Sequence, residues 1–169
     1  MSPSRADDRL SQLSQTLWRQ RAQVERLLYR LEVQQMVLAG GRTRWIDMSA
    51  RDVEDAIDDL RTEELLRAAH VAAVAPILGV SSQASLTELA DAAGEPWAQI
   101  LRDHQSTFLS LIGSVESVSR DNKDLLSKGL HDTRDFVARM AEAPGLDGYS
   151  PSGAGTRALA RPTLVDWDV

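Results

Sequence analysis

The sequence contains no cysteine, which excludes disulfides, thiolate zinc sites and thiol catalysis and leaves the compartment open. Aromatic residues make up 5% of the 169 residues, although hydrophobic residues reach 43% and charged residues 26%. The latter two values are ordinary for a soluble protein, but so few rings do not fill a thick globular core. An elongated helical protein with an aliphatic seam fits better. There is no apolar run of about 18 residues or more, so no membrane insertion is expected. The opening "MSPSRADDRL" lacks the apolar stretch of a secretory signal, and a cytoplasmic location is the expectation. Lysine is also scarce: only Lys123 and Lys128 among 19 cations, a bias associated with GC-rich bacterial genomes.

Charge is unevenly distributed. Residues 1–50 carry 8 Lys+Arg against 5 Asp+Glu, residues 51–100 carry 3 against 10, and residues 101–169 carry 8 against 10. A mildly basic first segment beside an acidic second one suits two helices packed side by side. No basic stripe is long enough, or free enough of carboxylates, to expect a nucleic-acid partner.

The clearest pattern is a heptad. Leu10, Leu17, Val24, Leu31 and Leu38 recur every seventh residue, Leu13 and Leu27 fill the second seam position, and Gln20 and Gln34 interrupt it. This predicts a coiled-coil helix over about 7–39. Gly40 and Gly41 follow where a helix C-terminus favours positive φ, so the chain is expected to reverse there. A second helix is predicted over about 43–76, with Ile46, Ala50, Val53, Ile57, Leu60 and Ala68 on one face. Trp45 would plug the end of the seam beside Met36 and Val37. Pro76 and Gly79 mark this helix's end or, for Pro76, a kink. "SLTE" at 85–88 is a capping box opening a short helix through Ala93.

The third long helix opens at Pro96 and is expected to run to about Ala143. Its stripe reads Trp97, Leu101, His104, Phe108, Leu111, Val115, Val118, Asn122 and Leu125, then shifts to Leu126, Leu130, Val137 and Met140, as a straight 3.6-residue helix would give. Its last third should overhang the others with an apolar stripe uncovered. The fold class is therefore all-α: an antiparallel bundle of three long helices plus one short one over residues 1–143, and a flexible Gly/Pro/Ser-containing tail over 144–169.

Little here carries catalytic chemistry. His70, His104 and His131 stand far apart, with no metal-binding pair, and read as surface or seam histidines. "DNKD" and "EDAIDD" read as solvated helix faces, and "AGGR" has too few glycines to cradle phosphate. No enzyme activity, metal or cofactor is expected.

"LWRQRAQVERLLYRLEVQQMVLAGGRTRW" at 17–45, "SLTELADAAGEPWAQIL" at 85–101, "NKDLLSKGL" at 122–130 and "GYSPSG" at 148–153 together resemble the FlgN flagellar export chaperones, in the form seen in GC-rich bacteria. The resemblance spans about residues 10–155. It implies a cytoplasmic chaperone that binds the C-terminal helical segments of the hook–filament junction proteins FlgK and FlgL. Such a chaperone holds them back from early assembly or degradation and delivers them to the export gate, with the export ATPase complex a further candidate partner. An uncovered amphipathic helix suits this task. The expected cargo contacts are Leu125, Leu126, Leu130, Phe136, Val137 and Met140, with Asn122 fixing register. The resemblance further implies that Tyr149 docks on the gate; a fold-back onto the helix end, by Tyr149 or Trp167, is the alternative. A structural coiled-coil or dimerisation module without cargo remains the competing reading.

Overall fold

The computed structural model describes residues 3–142, with side chains over 5–139. It is helical, and no strand occurs among the described residues. The elements are α1 (Pro3–Ala39), a 3-10 turn (Thr43–Trp45), α2 (Ile46–Leu78), α3 (Leu86–Ala92) and α4 (Trp97–Glu142). The chain divides into two units, Met1–His131 and Asp132–Val169. The first holds the bundle; the described residues of the second form the last turns of α4.

The heptad of α1 does what its period predicts. Leu10, Leu13, Leu17, Val24, Leu27 and Leu31 are all buried. The helix stops in a Schellman turn: Arg42 N–H donates to Val37 O and Gly41 N–H to Leu38 O, both at 3.1 Å, with Gly41 at φ +60°. Of the two glycines, Gly41 is the one that takes the left-handed conformation. α2 ends the same way. Pro76 lies inside its last turn, and the stop is made by Gly79, at φ +72°, with Val80 N–H donating to Ala75 O.

Pairings across the helices fix their directions. Arg19 reaches Glu63, Gln20 reaches Glu64 and Arg30 reaches Asp52, so α2 runs antiparallel to α1 and basic side chains meet acidic ones as expected. Along α1 and α4 the partner separation holds steady instead. It is 90 residues at Asp7–Trp97 and Ser14–His104 and 91 at Leu31–Asn122, so these two helices are parallel. The connection through α3 makes that possible. α3 is opened by the predicted capping box, Glu88 N–H donating to Ser85 Oγ and Ser85 N–H to Glu88 Oε2, and buries Leu89 and Ala90. α4 begins at Trp97 rather than Pro96, whose carbonyl accepts from Ile100 N–H.

The core has two parts. One gathers Leu10, Leu13, Leu17, Val71, Val74, Leu89 and Leu101; the other gathers Leu27, Leu31 and Ala56, with Val53, Ile57, Leu60, Val115 and Val118 against them. Two expectations need correction. Trp45 does not plug the seam: it is 38% exposed and Met36 65% exposed, and the Arg44 guanidinium covers the indole at 4.7 Å. A cation over the ring replaces burial as the ring's partner. Ala68 does not join the apolar face of α2 either, and is exposed. α2 has no buried residue between Ala56 and Val71, and Leu65 and Leu66 stand 74% and 42% exposed.

Candidate functional site

The expected cargo residues divide sharply by environment. Asn122 is 3% exposed, and its amide donates to Leu31 O at 2.9 Å and Gln34 Oε1 at 3.0 Å. It sets the α1–α4 register inside the bundle and presents nothing outward. Leu125 is half-buried, beside a shallow cleft shared with Gln35, Asp121 and Lys128. In the first unit, Leu126 and Leu130 are 44% and 53% exposed; in the second, Phe136 and Val137 are 57% and 59% exposed. Met140 lies in α4 with its side chain outside the described residues. Tyr149 and Trp167 are also outside them.

The structure reveals a second apolar surface that the sequence reading missed. Where α2 lacks buried residues, a groove of about 580 Å³ opens between α2 and α4 over α1. Val24 and Leu27 form its floor, Ile57, Leu60 and Leu65 one wall, and Phe108, Ile112 and Val115 the other. It continues past Phe108 toward Leu86, Gln105 and Leu109. Leu65, apolar but out of step with the α2 face, is its one trace in the sequence, and does not by itself define a groove.

A polar layer sits at this level, between the two cores. Gln20 Nε2 donates to Glu64, which also pairs with Arg67, while Arg19 pairs with Glu63 at 3.4 Å. The Arg67 hydrogen bond holds the Glu64 carboxyl below its usual range against partial desolvation, with Gln20 assisting. Gln20 Oε1 is buried and has no hydrogen-bond partner among the described residues.

On the α1–α4 side, His104 is 4% exposed and meets the Trp18 ring edge-on at 5.1 Å, with Ser14 Oγ 3.3 Å from Nε2. Burial pushes its pKa down; the positive charge of Arg21 adds to this and Asp103 opposes it. His104 is therefore a seam histidine, in line with the sequence reading. Among the described residues no three His, Asp or Glu side chains are grouped to hold a metal ion, and no helix is long and apolar enough to cross a membrane.

A family model described as FlgN protein matches residues 1–157. No curated protein and no solved structure matches. With a match over most of the chain, on a helical bundle that leaves apolar side chains of α4 uncovered, this protein belongs to the FlgN family of flagellar export chaperones, which is not an enzyme family.

Proposed function

We propose that this chain is a cytoplasmic chaperone of type III flagellar export. Its cargo is the C-terminal helical segment of the hook–filament junction proteins FlgK and FlgL, kept from premature assembly or degradation and passed to the export gate and its ATPase complex. The observation that supports this most is the exposure of Leu126, Leu130, Phe136 and Val137 on α4, at 44–59%. With Leu125 and Met140 they form the proposed cargo surface, onto which an amphipathic helix lays its own apolar face. Burial of one leucine in such an interface contributes about 2 kcal/mol, or about thirtyfold in affinity. Tyr149, in the segment after α4, is the proposed gate contact: a ring with a hydroxyl buries much area for little rotamer entropy.

The test is the pair Leu130→Ser and Val137→Ser, measured by titration with the FlgK and FlgL segments and by thermal melting. Binding should be lost while the melting temperature holds. Collapse of the melting temperature with normal binding by the folded fraction would make these residues core. Tyr149→Ala should keep cargo affinity within about threefold and reduce export; unchanged export with tighter cargo binding would favour a tail that caps the helix.

A further inference from the structure

The end of the α1–α2 hairpin is exposed without a break from Ala39 to Trp45, yet its backbone is held in one shape. Arg42 N–H donates to Val37 O, and Trp45 N–H donates to Arg42 O at 2.9 Å. Helical spacing then gathers the side chains. Arg44, Met48 and Arg51 fall at i, i+4 and i+7, on the side of α2 opposite Val53 and Ile57, which pack on the core. All three are exposed, as is Trp45 beside them, with the Arg44 guanidinium 4.7 Å from its ring. Arg42 lies back over Gly40, where an added Cβ would stand 3.5 Å from Arg42 Nε and 3.0 Å from Met36 O. It therefore sits against the last turn of α1, which carries the exposed Met36.

The charge of this end is unlike that of the rest. From Met36 to Arg51 there are three cations and one carboxylate, Asp47, so the remainder of the chain is more negative still than the whole-chain −6. Among the described residues no carboxylate pairs with Arg42, Arg44 or Arg51, although Arg19, Arg30 and Arg61 of the same two helices each have one. Carboxylates bound the patch, with Glu32 on α1 and Glu54 and Asp55 on α2, and the outward side of α2 stays acidic at Asp58 and Asp59. At this level α4, tied to α1 through Gln35–Asp121 and Leu31–Asn122, carries Lys123 and Lys128 against Asp121 and Asp124 and adds no net charge.

This chemistry selects a partner. Guanidiniums without carboxylates bind phosphate through parallel N–H donors. An indole under a cation suits the headgroup depth of a bilayer, where tryptophan is enriched, and a methionine supplies flexible apolar area. The side chains stand out from a chain reversal, and a deformable headgroup layer accepts them without a matching pocket. We propose that the end of the α1–α2 hairpin docks on an anionic phospholipid surface without crossing it. Arg42, Arg44 and Arg51 take lipid phosphates, and Trp45 and Met48 enter the headgroup layer. The same surface repels the acidic remainder of the chain, so contact is made hairpin end first. Each arginine contributes modestly, which makes the contact reversible and sensitive to salt. No residue of the proposed α4 cargo surface takes part, so this docking stands or falls independently of the cargo.

The test is flotation of the full-length chain with vesicles of phosphatidylcholine, alone or mixed with phosphatidylglycerol, at low and at physiological salt. Partition onto the mixed vesicles should be at least about tenfold greater at low salt and should weaken as salt rises. The variant Arg42→Gln/Arg44→Gln/Arg51→Gln has no ion pair to lose. It should keep its far-UV dichroism and melting temperature and lose the preference for mixed vesicles. The variant Arg5→Gln/Arg9→Gln/Arg61→Gln removes the same charge from exposed positions elsewhere and should keep that preference. Trp45→Ala leaves the charges in place and should bind mixed vesicles severalfold more weakly. Equal partition of the wild-type chain onto both vesicle types, equal loss in the two triple variants, or unchanged binding by Trp45→Ala overturns the proposal. Release of the chain from mixed vesicles by poly-glutamate, beyond what salt of the same ionic strength achieves, would assign the patch to an acidic protein and equally overturn it.

Discussion

Gly41 and Gly113 show how the same residue type acts in opposite senses at two positions. Gly41 sits at φ +60° in the turn that closes α1, and an L side chain there adopts the left-handed region at a cost of about 1–2 kcal/mol. Gly113 lies within α4 with open space where a Cβ would stand, and alanine gains about 1 kcal/mol of helix propensity over glycine. Urea denaturation should therefore find Gly41→Ala destabilised and Gly113→Ala stabilised by similar amounts. His104 makes the second residue-scale prediction. Its folded pKa lies below the unfolded value of about 6.5, so between the two values the unfolded chain binds a proton that the folded chain does not. That contribution to stability is fully present above about pH 6.5 and is lost as pH falls toward the folded pKa. His104→Phe keeps a ring against Trp18 and should flatten the slope of stability against pH in that window; an unchanged slope would assign it to other groups.

At the scale of the element, α1 and α4 separate two kinds of leucine. Leu17 is fully buried in the core part that holds Val74 and Leu101, and Leu130 is 53% exposed. Leu17→Ala should cost about 2–5 kcal/mol, and Leu130→Ser should stay within about 0.5 kcal/mol, both by chemical denaturation. The heptad made α1 legible because one period covers a helix packed along a single seam. The capping box made the start of α3 legible because two side chains three residues apart bond locally. α2 was harder to read, because it contributes to two separate cores. Val71, Val74 and Ala75 keep the face of Val53, Ala56 and Ile57, but polar Glu64 and Arg67 occupy that face between the two cores, and a single-face reading placed exposed Ala68 on the stripe. Trp45 misled for a related reason: an aromatic at a heptad position suggests burial, and a neighbouring arginine over the ring satisfies it at the surface instead.

At the scale of the whole molecule, the exposed side chains of α4 were legible because the third helical pattern outlasts the first two. Asn122 was visible as a polar residue on the stripe, but only its hydrogen bonds to α1 show that it fixes register inside the bundle. The α2–α4 groove was not legible, since it arises where side chains of three helices fail to meet, and that is a property of packing, not of any one helix. Membership in the FlgN family and the uncovered leucines of α4 support the central proposal, that the chain binds the C-terminal helix of a hook–filament junction protein. The most direct measurement is calorimetric titration of the full-length chain with the FlgK and FlgL C-terminal segments at several temperatures. The account predicts binding in about the micromolar range or tighter for at least one segment, with a negative heat-capacity change from buried apolar surface. No heat and no complex with either segment at tens of micromolar, from a chain that is folded and helical, would contradict it.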